Sequence, residues 1–390
     1  MADEDGINPE EDPEAALEEL AEGPAPESPA RRRRLARAAL YGFRDARRSA
    51  RIGMGVAAVA LLVAIGVGVL AFTRDGDDGG SGRAGGSGAV TDDIVAKARP
   101  GTVYIRARGL GQEASGTGVI VDAGEGLVLT NFHVIALGED LQAGAPDRLD
   151  DAEIRAAAPC EDLALLEVEG LEGRHAIALG RQDAVEQGDP VVALGYPVSA
   201  SGGKSLTSTA GVVSSVNTPL RIPAPDQPRF TNLVQTDAAL GAGNSGGPLV
   251  GADGKLVGLN TILFTGGAGN PSAEQGYAIG VDRVRELLAE FREGRSRAWF
   301  GAGLLTPPPG VLERERLPAG MFATAAQDGT SAADLRLEQV LITAVDGRPL
   351  KSSLASYCEA VGDAASGDEL DLTVIAGPRG REQTVPVKLD

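Results

Sequence analysis

The sequence predicts a mostly β protein preceded by one apolar helix, and three observations lead there. From Val90 to about Phe291, short apolar runs alternate with Gly, Pro and Asp; examples are Val103-Tyr104-Ile105, Gly118-Val119-Ile120-Val121, Val191-Val192-Ala193-Leu194 and Leu256-Val257-Gly258-Leu259. That spacing is the signature of strands and turns in a barrel or sandwich. Within this region Val281 to Phe291 has apolar positions at helical spacing and reads as a closing helix. Upstream, the 21 residues Ile52 to Phe72 carry no charge and no proline.

The first 51 residues cannot build a core. Residues 1–30 hold 11 acids, several prolines and almost no large apolar side chains, a composition that stays disordered. Nine arginines follow between Arg31 and Arg51. The 52–72 stretch, as a helix, spans about 32 Å at ~1.5 Å per residue, enough for a bilayer core. A cleaved signal peptide is disfavoured by the long preceding tail and the length of the apolar run. The arginines on its N-terminal side place residues 1–51 in the cytoplasm and the rest of the chain outside the cell membrane. They also suit anionic lipid headgroups. Residues 73–90 are rich in Gly, Ser and Asp and read as a flexible tether with a reach of roughly 23 Å. The net charge of −19 argues against a nucleic-acid partner. The two cysteines, Cys160 and Cys358, fall in different expected domains and lack metal-ligand spacing. The reading therefore expects no disulfide between them and treats Cys160 as a small apolar filler.

The densest chemical signal is Gly243-Asn244-Ser245-Gly246-Gly247-Pro248-Leu249. Small residues around a serine admit a substrate carbonyl, and the glycines permit a turn that aims backbone N–H groups at an oxyanion. A nucleophile needs a base, and the chain has only two histidines. His133, in Thr130-Asn131-Phe132-His133-Val134-Ile135, follows the apolar run Leu127-Val128-Leu129 and sits at a strand end. His175 reads as a surface or strand-edge residue. In Cys160-Glu161-Asp162-Leu163-Ala164-Leu165-Leu166, Asp162 opens an apolar strand. In the order His, Asp, Ser it is the natural third member of a triad.

These three motifs, with Gln235-Thr236-Asp237-Ala238-Ala239 ahead of the serine turn, resemble the HtrA (Deg) family of chymotrypsin-fold serine proteases over roughly residues 91–390. Phe132 departs from the small or polar residue usual before the histidine. The resemblance implies a chymotrypsin-like double β-barrel over 91–293, two six-stranded barrels with the site between them. It implies catalysis by His133, Asp162 and Ser245, with Gly243, Asn244 and Ser245 forming the oxyanion hole. Ala239, six residues before the serine, is then the base of the S1 pocket, with Thr261, Ile262 and Leu263, and Gly276-Tyr277-Ala278, as walls. An uncharged base excludes cleavage after Lys or Arg and suits small or medium apolar P1 residues.

Residues 297–390 resemble a PDZ domain. Trp299-Phe300-Gly301-Ala302 looks like its carboxylate-binding loop, where a peptide C-terminus adds as a strand. Strands are expected over Gly320 to Thr324, Val340 to Val345, Leu370 to Ile375 and Gln383 to Leu389, and a groove helix over Leu350 to Val361. Glu338-Gln339 replaces the usual Gly-Asp, and Pro307-Pro308-Pro309 follows the loop. The function that follows is a membrane-anchored serine endopeptidase acting on unfolded or damaged extracytoplasmic proteins. The alternatives are a proteolytically silent PDZ adaptor or a signalling protease for one membrane partner; the complete set of His133, Asp162 and Ser245 favours an enzyme. No cofactor or metal is implied. The family's trimers use aromatics near the start of the protease domain, where this chain offers little beyond Tyr104.

Overall fold

The computed structural model describes residues 87–390 apart from 172, 198–204, 221–227, 229, 266–273, 309 and 378–379. The expected membrane helix over Ile52 to Phe72 lies outside the described residues; among those, no helix is long and apolar enough to cross a membrane. The chain enters through helix α1 (Ser87–Ala98), so the expected tether to residue 90 ends in helix instead. Ile94 and Ala98 anchor it in the core.

Two closed six-strand antiparallel barrels follow, in line with the double-barrel expectation. The first contains β1 (Thr102–Gly109), β2 (Gln112–Asp122), β3 (Leu127–Thr130), β4 (Asp140–Ala145), β5 (Arg148–Ala158) and β6 (Leu163–Val168), in the order β1-β2-β3-β6-β5-β4. The second contains β7 (Pro190–Gly195), β8 (Thr207–Leu220), β9 (Phe230–Thr236), β10 (Pro248–Gly251), β11 (Leu256–Thr265) and β12 (Glu274–Gly280), in the order β10-β11-β12-β9-β8-β7. The short helix α2 (Phe132–Ile135) interrupts the first barrel after β3 and buries Phe132, Val134 and Ile135. Helix α3 (Val281–Arg292) closes the second. It buries Val281, Val284, Leu287, Leu288 and Phe291, a stripe at helical spacing worth on the order of 10 kcal/mol in removed apolar surface. This stripe belongs to a cluster that spans both barrels and includes Leu163 and Leu165 of the first and Val192 and Leu256 of the second.

The C-terminal part is a twisted sheet with helices. Its strands β13 (Ala302–Leu305), β14 (Met321–Ala326), β15 (Val340–Val345), β17 (Glu369–Ala376) and β18 (Glu382–Lys388) lie in sequence order, and the short β16 (Arg348–Pro349) pairs with β15. Helices α4 (Val311–Glu315) and α5 (Ser331–Asp334) are brief. Helix α6 (Leu354–Val361) starts where the Ser353 hydroxyl accepts from the Ser356 N–H, and ends at Gly362, φ 65°. The helix expected from Leu350 begins only at this cap.

This sheet domain docks on the first barrel. Val103, Phe132 and Leu166 share one apolar cluster with Trp299, Phe300, Leu304 and Tyr357. Polar bonds cross the seam: Arg297 N–H to the Ala157 carbonyl at 3.1 Å, Ala157 N–H to Ser296 Oγ at 3.2 Å, and Gln327 Nε2 to the Ile154 carbonyl at 2.6 Å. The Thr324 hydroxyl donates to the Ala136 carbonyl. A covalent bond completes it, since Cys160 and Cys358 form a disulfide with Cα atoms 5.5 Å apart. This corrects the sequence expectation. The cysteines lie 198 residues apart, and only docking of the second domain brings them together.

Candidate active site

Where the two barrels meet, Asp162 holds His133, and Thr261 links Asp162 to Ser245. His133 stands on α2. Asn131, extended at the helix entry, does not cap it; its Nδ2 donates to the Asp162 carbonyl at 2.9 Å. Asp162 follows a 3₁₀ turn over Pro159–Glu161 and holds φ 54° and ψ 38°, a left-handed conformation an aspartate tolerates. Its side chain is almost fully buried, at 2 % exposure, and collects three donors. The His133 backbone N–H reaches Oδ1 at 3.0 Å, His133 Nδ1 lies 2.9 Å from each oxygen, and the Thr261 hydroxyl donates to Oδ2 at 2.7 Å. A buried carboxylate so held fixes the ring and leaves Nε2 as the working nitrogen.

Ser245 comes from the turn before β10, and its hydroxyl donates to the Thr261 carbonyl at 3.2 Å. The four-residue turn 241–244 closes through Asn244 N–H to the Gly241 carbonyl, with Gly243 at φ 95° in its third position, where glycine carries no steric penalty. Among the described residues, neither the Gly243 nor the Ser245 N–H has a protein acceptor. Gly246 is required for space as well. A Cβ there would stand 2.1 Å from the Thr117 carbonyl.

Thr117 of β2 ties the turn to the other barrel, a role the sequence reading missed. It is fully buried. Its N–H donates to the Ser245 carbonyl at 2.9 Å, and its hydroxyl donates to the Gly243 carbonyl at 2.7 Å and accepts the Tyr196 N–H at 2.9 Å. The available signal was Gly116-Thr117-Gly118, since glycines within a strand mark close backbone approach. A Cβ at Gly116 would lie 3.1 Å from the Ser245 carbonyl.

A cavity of about 140 Å³ opens beside Ser245, lined by Leu240, Gly241, Ala242, Asn244, Asn260 and Thr261. Thr261 lines it, and so does Leu240, while Ala239 does not. Ala239 is exposed and its carbonyl accepts the Thr209 hydroxyl. The side chains of Ile262 and Leu263 lie outside the described residues, while Tyr277 and Ala278 are buried in the barrel. His175 is exposed on a loop, as expected. All four residues of the expected peptide loop, Trp299 to Ala302, are buried. Tyr104 is buried too, edge-on to Tyr196 with ring centroids 5.7 Å apart, and so presents no aromatic to a neighbouring subunit.

Comparison with known proteins gives this arrangement its family. Residues 116–259 match the trypsin-like peptidase domain family. The serine protease PepD of Mycobacterium tuberculosis is 31% identical over 316 residues, covering 76% of this chain and 65% of the relative. These similarities support an HtrA-family serine protease. The periplasmic serine endoprotease DegP of Escherichia coli is 30% identical over 282 residues, covering 71% of this chain and 57% of that relative. Among solved structures, an HtrA-type protease, AlgW with a tripeptide, is 27% identical with a TM-score of 0.46, covering 77% of this chain and 96% of that one. The chain spans a little over half to about two thirds of the length of these curated relatives.

Proposed function

We propose that this HtrA-family chain is a serine endopeptidase working through an acyl-enzyme. The observation that carries the reading is the Asp162 carboxylate, which grips His133 and the Thr261 hydroxyl under Ser245. Ser245 Oγ attacks a peptide carbonyl while His133 Nε2 takes its proton and later delivers it to the leaving amine. Asp162 holds the Nδ1–H tautomer. Before attack, the hydroxyl hydrogen turns from the Thr261 carbonyl toward His133. The N–H groups of Gly243 and Ser245, without an acceptor among the described residues, receive the oxyanion. The Leu240 cavity takes a small or medium apolar P1 side chain.

Its substrates are unfolded or exposed-terminus polypeptides outside the cell membrane. The chain is anchored there by Ile52 to Phe72, with residues 1–51 in the cytoplasm; the arginine-rich flank and the periplasmic setting of DegP support this. The C-terminal sheet domain is of PDZ type, and Trp299 to Ala302 is its site for peptide C-termini once that loop is uncovered. The test is casein cleavage by the full chain against Ser245→Ala. Loss of cleavage in the alanine form supports the endopeptidase. A folded wild-type chain that never cleaves returns the weight to a silent adaptor.

A further inference from the structure

The bond between Cys160 and Cys358 has no part in the proposed reaction, yet it joins two places that matter. Cys160 sits in the 3₁₀ turn two residues before Asp162, and Cys358 lies within α6 of the C-terminal domain. Both cysteines are partly exposed. Cys160 forms part of the wall of a cavity of about 500 Å³ along the seam, shared with Glu161, Arg283, Glu290, Arg297 and Asp363. The bond is therefore partly open to solvent on the Cys160 side. Arg283 is paired with Glu161 at 2.5 Å and Arg297 with Glu290 at 2.6 Å, so the cavity also presents guanidinium groups within a charge-balanced frame.

We propose that Cys160–Cys358 is a thiol–disulfide exchange site that takes an external dithiol, and that its state sets whether the C-terminal domain stays docked on the first barrel. A thiolate of the dithiol attacks one sulfur, the other cysteine leaves as thiolate, and the second thiol of the reductant resolves the mixed disulfide. Two electrons and two protons pass from the dithiol to the cysteines, giving two thiols and one oxidised reductant. Among the described residues the other directed contacts across the seam are non-covalent: the paired amide bonds of Ala157 with Ser296 and Arg297, the Arg297 pairs with Glu290 and Glu286, the Gln327 bond to Ile154 and the Thr324 bond to Ala136. Asp162 itself stays in place after reduction, since Asn131, His133 and Thr261 hold it independently of the disulfide. The consequence falls on the C-terminal domain, whose loop Trp299 to Ala302 is buried in the docked state.

The test is amide hydrogen exchange on the full chain, oxidised and after dithiothreitol, with Cys160→Ser/Cys358→Ser as a second form. Ala157 and Arg297 donate their amide hydrogens across the seam and read docking directly. On reduction their exchange should rise at least about tenfold and return on reoxidation, while amides of β10 and β11 keep their rates. The double-serine form should exchange fast from the outset and ignore dithiothreitol. Unchanged exchange at Ala157 and Arg297 in the reduced chain overturns the proposal, because the apolar seam then holds the domain unaided. A rise spread equally over both barrels overturns it too, because the bond then supports global stability only.

Discussion

Replacing Thr117 by valine keeps its shape and removes one oxygen. That oxygen donates to the Gly243 carbonyl at 2.7 Å and accepts the Tyr196 N–H at 2.9 Å, in a fully buried setting. Thr117→Val leaves both groups without these partners, and a buried polar group left unpaired costs about 1–3 kcal/mol. The Gly243–Asn244 peptide can relieve its share by swinging its carbonyl. That breaks the Asn244 N–H bond to Gly241, worth about 0.5–1.5 kcal/mol, and opens the 241–244 turn that aims the N–H of the preceding Ala242–Gly243 peptide. The first term is the larger by about 1 kcal/mol, so a sizeable part of the population should take the opened turn and lose one oxyanion donor. Complete loss of a donor lowers kcat by about 10²–10³. We expect Thr117→Val to lower kcat by roughly 10- to 10³-fold with little change in KM, and Thr117→Ser to recover most of it. The assay is steady-state cleavage of a peptide with an apolar P1 residue, with folding checked by circular dichroism. Wild-type kcat in a folded valine variant, or equal damage from serine and valine, would refute the clamp.

Asp162→Asn should lower kcat by about 10⁴ while leaving substrate affinity near wild type, because it favours the wrong tautomer of His133; an unchanged kcat removes Asp162 from the mechanism. Leu240→Ala enlarges the cavity beside Ser245 and should move preference from valine-sized toward larger apolar P1 residues by roughly 10–200-fold, read from kcat/KM ratios over a peptide series. Gly246→Ala puts a methyl against the Thr117 carbonyl at a φ of 81° and should lower the melting temperature along with activity. Burial pushes the Tyr357 hydroxyl well above the ordinary tyrosine range, while it donates to the Ala298 carbonyl at 2.8 Å. The folded state disfavours its ionised form, so this stability is present below the unfolded value near 10 and is lost as pH rises above it, by up to about 1.4 kcal/mol per unit. In urea unfolding across that range, Tyr357→Phe should lack this part of the slope.

The three motifs carrying His133, Asp162 and Ser245 were legible because each residue type sits beside its own local signal: a strand end, a strand mouth, a glycine-flanked turn. The barrels were legible for the same reason, as short apolar runs punctuated by turns. What stayed hidden depends on distant segments meeting. Thr117 looks like any strand residue until β2 meets the serine turn of the other barrel. Thr261 was expected only as a pocket wall, since nothing local shows that its hydroxyl reaches Asp162. Leu240 lines the cavity beside Ser245, which residue spacing alone does not show. Cys160 and Cys358 are separated by 198 residues, and their pairing is a property of docking.

The central claim is that Ser245 is an activated nucleophile, and a fluorophosphonate probe tests it without assuming a substrate. The full chain should take up one label, located by mass spectrometry on the peptide containing Ser245, with labelling abolished in Ser245→Ala and greatly slowed in His133→Ala. A folded wild-type chain that takes up no label, or takes it equally well without His133, would contradict the account.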